Sequence, residues 1–445
     1  MKTPIYDFAR AYADKGSLRL HMPGHKGSSF LGCEALDLTE ITGADSLYHA
    51  DGIILESENN ASFLFGSRHT YYSTEGSSLC IRAMLYLIKR EAMMHGRASK
   101  ILAGRNAHKT FITAAALLDV GVDWIYPRDG SYLSCGITPE ELDSMLSEYD
   151  EKPSAVYVTS PDYLGNIADI KGLSAVCEKY GIILAVDNAH GAYLKFLSPS
   201  RHPIDLGAHI CCDSAHKTLP VLTGGAYLHI SENAPEIFSE EARNALSVFG
   251  STSPSYLILE SIDLANKYIW DGFGERLSVF AEKVDLLKVR LAEKGYTIMG
   301  NEPMKLTVYA RDFGYTGEML AEEISKRGGE VEFADPDVTV MMLSVEHGAM
   351  GLSRLEEILS DIPKRESISC PALPSPRPKK VLSPCEALFS SSEELSTEAC
   401  IGRIQASASV ACPPAVPIVV CGERIEADSV RCFEYYGINT CKVVK

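Results

Sequence analysis

From about residue 69 to residue 230 the chain repeats one pattern, a short apolar run rich in β-branched residues followed by an amphipathic stretch of helical period. This alternation constrains the fold most. Strands separated by helical crossovers pair side by side, and the helices then cover both faces of the sheet. The predicted strands are HTYYS (69–73), KILAG (100–104), DWIYP (123–127), SAVYVTS (154–160), GIILAVD (181–187), HICCDSA (209–215) and GAYLHI (225–230). Between them the spacing predicts helices over 77–95 and over 138–149, the latter opened by Thr138-Pro139-Glu140. The expected class is α/β, a mostly parallel, doubly wound sheet.

Beyond about 275 the pattern changes to a long helix (276–294) and then to short elements such as KLTVYA (305–310) and TVMMLSV (339–345), as in a smaller α+β region. The stretch 366–384 is proline-rich and without periodicity, which predicts a connector. After it, helical character returns. The expected organisation is an N-terminal arm (1–40), a large domain (41–275), a small α+β domain (276–365) and a C-terminal segment (366–445) that packs back on the rest.

Acidic residues outnumber basic ones by 59 to 42, a net charge of −17 that disfavours nucleic acid and anionic membranes as partners and tolerates a cationic ligand. The N-terminus lacks the apolar centre of a signal peptide, and no apolar run is long enough to span a bilayer, so a cytoplasmic location is expected. Thirteen cysteines, odd in number and scattered, read as reduced thiols, and without paired CxxC motifs no metal site is expected.

Four groups at predicted strand ends carry possible chemistry. Lys217 lies in Ser214-Ala215-His216-Lys217-Thr218, after an apolar strand and before Gly224-Gly225. An amine there, near polar donors and held nearly dry, suits Schiff-base formation, and a plain loop lysine is the alternative. Asp187 ends the most apolar strand, where a buried carboxylate would keep the ring nitrogen of pyridoxal 5'-phosphate (PLP) protonated; a helix cap is the alternative. Gly76-Ser77-Ser78 opens a helix and offers a phosphate cradle, or simply a cap. His108, after the strand at 100–104, could stack on a flat ring or serve the structure. All four follow strand C-termini, where open α/β sheets bind ligands.

The chain also resembles the PLP-dependent ornithine/lysine/arginine decarboxylases of aspartate-aminotransferase fold, in their shorter bacterial form. The resemblance rests on His21-Met22-Pro23-Gly24-His25-Lys26-Gly27, Gly43-Ala44-Asp45-Ser46-Leu47 with Gly52, RNAHKT (105–110), VDNAHG (186–191) and SAHKTLP (214–220). Further strings are Ser251-Thr252-Ser253-Pro254-Ser255-Tyr256, Ala334-Asp335-Pro336, Ser383-Pro384-Cys385-Glu386-Ala387, Pro413-Pro414-Ala415-Val416-Pro417 and Gly422-Glu423.

The resemblance implies decarboxylation of a basic amino acid through an external aldimine. It makes Lys217 the Schiff-base lysine, Asp187 the partner of the ring nitrogen and His108 the stacking residue. Gly76, Ser77, Ser78, Ser214 and His216 then take the phosphate, His190 adds a cofactor contact, and Lys217 or His216 returns the proton. The 251–255 segment would approach a neighbouring subunit's phosphate, implying a homodimer. Asp162, Glu386 and Glu423 are candidate substrate contacts. Three positions depart from the family pattern: Asn188 stands where VDEAHG has glutamate, Asp162 where threonine is usual, and Glu75 where an amide is typical. An aminotransferase or lyase on the same fold is the first alternative, with Arg403 or Arg424 recruited to a carboxylate, and a catalytically silent relative is the second.

Overall fold

The computed structural model describes residues 1–126, 134–369, 373–412 and 416–445. Seven strands, β1 (His69–Ser73), β2 (Lys100–Gly104), β3 (Gly121–Ile125), β4 (Ala155–Thr159), β5 (Ile183–Asp187), β6 (Ile210–Asp213) and β7 (Ala226–Ile230), form one sheet in the order β1-β7-β6-β5-β4-β2-β3. β5 and β6 run parallel with Asp187 opposite Cys212, and β2 and β3 run parallel with Gly104 opposite Ile125. β7 departs from the parallel arrangement, being antiparallel to both β6 and β1. Residues 214–225 join β6 to β7 with only the four-residue helical turn Ala215–Thr218, and without a crossover helix the chain returns antiparallel.

The strand expected over 209–215 therefore stops at Asp213. The backbone N–H of His216 donates to the Gly225 carbonyl at 3.2 Å, which folds the segment back under β7. β3 begins two residues before the expected DWIYP run, whose Pro127 lies outside the described residues.

Two compact units divide the chain. The first comprises Met1–Ser99, Met145–Tyr157 and Ile170–Glu275. Its helix Gly76–Met94 buries Leu79, Ala83 and Leu87, at helical spacing, while helix Glu236–Phe249 buries Ala242, Ala245 and Leu246. The loop between Asp45 and helix Ile53–Phe65 is organised by one carboxylate. Asp45 accepts the backbone N–H groups of Ser46, Asp51, Gly52 and Ile54 at 2.9–3.3 Å, and the Tyr256 hydroxyl accepts the Asp45 N–H at 2.9 Å. The GADSL and STSPSY strings thus meet at a structural lock.

The second unit comprises Lys100–Ser144, Val158–Asp169 and Arg276–Lys445. Its own antiparallel sheet, β8 (Thr297–Met299), β9 (Lys305–Tyr309), β10 (Phe333–Ala334) and β11 (Val338–Met342), has the order β10-β11-β9-β8. Past 384 the segment is less helical than expected. Two antiparallel pairs, β12 (Ser392–Ser396) with β15 (Thr440–Val444) and β13 (Ser409–Cys412) with β14 (Val416–Val420), accompany the helices Pro384–Phe389 and Ala427–Tyr435. The period of two explains β15: Cys441 and Val443 are buried, Thr440 and Lys442 exposed. Val340, Val410, Ile418, Val419, Phe433 and Val443 share one core cluster. Pro413-Pro414-Ala415 lies outside the described residues. No described helix is long and apolar enough to cross a membrane.

Candidate active site

In the first unit, the parallel register of β5 and β6 delivers Asp187 and the segment that begins at Ser214 to one edge of the sheet. Asp187 is buried. Its Oδ2 accepts the Tyr157 hydroxyl at 3.1 Å and its Oδ1 accepts the Ala189 N–H at 3.2 Å, with the Cys212 thiol 3.8 Å away. None of these donors is a cation, so a buried carboxylate stands ready for a positively charged partner. Three residues on, His190 is buried and its Nε2 lies 3.0 Å from the Lys217 amine. Lys217 thus has the polar neighbour expected of it. It is exposed in the single chain rather than nearly dry, because the turn Ala215–Thr218 carries it out past the end of β6.

The cradle expected at residues 76–78 has the geometry for an anion. Gly76 opens the helix with φ +70°, a conformation that disfavours a side chain, and a Cβ there would lie 4.0 Å from His216 Cε1. The Ser214 hydroxyl donates to Ser77 Oγ at 2.8 Å, placing two hydroxyls together beside the N-terminus of a 19-residue helix, and Ser78 occupies its first turn. The His216 Nδ1 donates to the Gly225 carbonyl at 3.0 Å, and burial pushes the imidazole below its ordinary pKa, so the neutral ring keeps Nε2 as its basic atom. Glu75 accepts the Ser251 N–H at 2.6 Å, tying the 251–255 segment to the cradle within one chain.

The remaining candidates belong to the second unit. His108 caps helix Lys109–Leu117, its Nδ1 accepting the Thr110 N–H at 3.2 Å. Asp162 is buried and spends both oxygens on its own turn: Oδ1 accepts Asn166 N–H and Oδ2 accepts Asn166 Nδ2, each at 2.9 Å. Burial raises its pKa, opposed by these bonds. Glu386 is the third helical residue of a capping box, its Oε2 accepting the Ser383 N–H at 2.8 Å, which holds its carboxyl below the usual range. Glu423 is buried and grips Arg105. Each of the three carboxylates expected at substrate has a structural partner: Asp162 the Asn166 turn, Glu386 its own cap through one oxygen, and Glu423 the distant Arg105.

Sequence reasoning missed Tyr157, which reads as one more apolar-strand aromatic, and the Asn188–Asp213 contact, whose partners are 25 residues apart. The glycine of VDNAHG has a clear purpose here. A Cβ on Gly191 would lie 2.1 Å from Asn188 Oδ1.

An amine beside an imidazole, an uncompensated buried carboxylate and an anion cradle together suit a cofactor with an electrophilic carbon, a basic ring nitrogen and a phosphate. Residues 3–287 match the family described as Orn/Lys/Arg decarboxylase, major domain. The chain is 28% identical to the uncharacterized Bacillus subtilis protein YaaO, over 97% of this chain and 93% of that one. It is 26% identical to the arginine decarboxylase of the same organism, over 96% and 92%. The fold matches the Francisella novicida lysine decarboxylase LdcF with a TM-score of 0.81 at 16% identity, covering all of this chain and 81% of that one. With the family matched across most of the sequence, the chain belongs to the Orn/Lys/Arg decarboxylases.

Proposed function

We propose that the protein decarboxylates a basic amino acid, arginine, lysine or ornithine, with PLP held at Lys217. The observation that carries this reading is the Lys217 amine 3.0 Å from His190, three residues past a buried carboxylate with no cationic partner among its contacts. PLP, when bound, supplies the electron sink that accepts the electron pair left by the departing carboxylate.

The chain's own residues would do the rest. Asp187, oriented by Tyr157 and the Ala189 N–H, holds a proton on the ring nitrogen. His190 accepts a hydrogen bond from the Lys217 amine and aims its nitrogen, while Gly76, Ser77, Ser78 and Ser214 receive the phosphate. Lys217, or His216 once its Nε2 has taken up a proton, returns that proton to the substrate carbon. The family resemblance adds His108 as the ring-stacking residue. Lys217 is exposed in the single chain, so exclusion of water at the amine calls for a further cover, which supports the homodimer expected from the 251–255 segment.

The arginine decarboxylases among the relatives make arginine the first substrate to test. Against an aminotransferase, Arg403 is engaged by Glu393 and the Val444 carbonyl, each at 2.7 Å.

The test is an absorbance spectrum of the purified protein with PLP, then addition of arginine, lysine and ornithine separately with detection of amine and carbon dioxide. A visible band that is lost in Lys217→Ala, with carbon dioxide from one of the three, is expected. A keto acid product instead of the amine moves the reaction to transamination, and no band after adding PLP overturns the cofactor assignment.

A further inference from the structure

Directly behind the candidate site lies a second buried carboxylate that neither the sequence reading nor the reaction uses. Asp213 ends β6, one residue before Ser214, and is fully buried. Its Oδ1 accepts Asn188 Nδ2 at 2.6 Å, and its Oδ2 accepts both His202 Nε2 and His229 Nε2 at 3.1 Å. Asn188 follows Asp187 directly, and its own N–H donates to the Cys212 carbonyl at 3.0 Å. Asp213 is thus stapled to the residue beside the ring-nitrogen carboxylate.

Both histidines face Asp213 through Nε2. The Ile204 N–H points at His202 Nδ1 (3.4 Å) and the Thr70 hydroxyl lies 2.8 Å from His229 Nδ1, so in each ring the proton sits on Nε2, facing Asp213. Burial pushes His229 down. The Sγ of Cys211 completes a His202, Cys211 and Asp213 group with ligand atoms within 4.8 Å. A metal there would need His202 Nε2 as a bare lone pair, with the ring proton on Nδ1 against the Ile204 N–H. The geometry is that of a hydrogen-bonded anion. Burial opposes ionisation of Asp213, yet His202 and His229, through charge and hydrogen bond together, hold it well below the ordinary carboxylate range. The other titratable groups beside it, Cys80, Cys211, Cys212 and Tyr227, are all pushed up by burial and stay neutral.

We infer that Asp213 is a positioning residue which, as a second buried anion behind Asp187, biases the cofactor site toward the protonated form of whatever cationic group Asp187 and Lys217 hold. The Asn188 amide and the two imidazoles bond Asp213 locally, and its field reaches across the sheet edge in a medium that screens poorly. The same arrangement accounts for Asn188: a glutamate there would set a second anion against Asp213, whereas the amide donates to it.

The inference rests on PLP binding at Lys217, and the experiment separates the two. The pH midpoint of the visible band of the PLP-loaded protein is measured for wild type, Asp213→Asn, Asn188→Ala and the exchanged pair Asn188→Asp with Asp213→Asn. Asp213→Asn is expected to lower the midpoint by about one unit, a tenfold loss of proton affinity, and to speed PLP release. Asn188→Ala keeps the charge and should titrate with wild type. The exchanged pair restores one carboxylate facing one amide and should recover the midpoint. This pair also serves if Asp213→Asn alone does not fold, and a fall of one unit in it then overturns the inference. A band in Asp213→Asn with an unmoved midpoint, or an equal shift in Asn188→Ala, likewise overturns the electrostatic role and leaves the cofactor reading intact. No band in wild type overturns both.

Discussion

Arg105 and Glu423 form a two-pronged buried ion pair, each guanidinium Nη lying 2.8 Å from one carboxylate oxygen. Arg105 Nη2 also donates to the Ile418 carbonyl at 2.9 Å, Glu423 Oε2 accepts the Val420 N–H at 2.9 Å, and the Arg105 guanidinium lies 4.9 Å from the Trp124 ring centroid. The pair fastens the loop after β2 to the C-terminal strands of the second unit, across 318 residues of chain. Breaking a buried pair from one side leaves the other charge uncompensated. Glu423→Gln is therefore expected to destabilise the protein by about 3–5 kcal/mol in chemical denaturation without changing the ranking of substrates. A variant as stable as wild type but with altered substrate preference would make Glu423 a substrate contact.

Tyr157 donates the hydrogen bond that fixes Asp187 Oδ2. Tyr157→Phe removes one hydroxyl from a buried strand and leaves the carboxylate under-supported, at a cost of about 1–3 kcal/mol. PLP dissociation, followed by loss of the visible band after dilution, should be several-fold faster than in wild type. Unchanged dissociation would mean that the Ala189 N–H alone suffices to orient Asp187.

Tyr256 closes the Asp45 lock, its hydroxyl touching both backbone polar groups of Asp45. Tyr256→Phe should cost about 1–2 kcal/mol, and hydrogen exchange at Gly52 and Ile54, whose N–H groups Asp45 holds, should rise with it. A loop that exchanges as slowly in the variant as in wild type would show that Asp45 needs no brace.

Glu260 gives the fold a pH dependence of definite sign. Burial, with Asp37 and Asp263 as like-charged neighbours, pushes its carboxyl up from 4.5 to about 8. A raised folded-state value favours the protonated form. Its contribution to stability is complete below about pH 4.5 and is lost as pH rises through about 8. Glu260→Gln should match wild type at pH 4 and exceed it at pH 9 by roughly 2–5 °C in Tm. Equal melting temperatures at both pH values would show that the side chain ionises freely in the folded state.

The sequence by itself determined the seven strands of the main sheet and which residues stand near their ends. Apolar β-branched runs bounded by turn residues are local signals, and Asp187, Ser214 and Lys217 were legible because chemistry in an open α/β sheet gathers where such runs stop. The SPCEA string is equally legible as a cap, since Ser383, Pro384 and Glu386 act within a single turn.

Only the tertiary structure decided which distant groups meet. The reversal of β7 came from the short β6–β7 connection. Glu423 meets Arg105 from 318 residues away, a pairing that no local pattern reveals. The contacts of Asp213 with Asn188 and His229 required the register of β5 on β6 and of β6 on β7, and the loop before β6 brings His202 to the same carboxylate. A side chain's residue type states what it can donate or accept, but the pairing of strands chooses its partner, and in a buried site the partner fixes the charge.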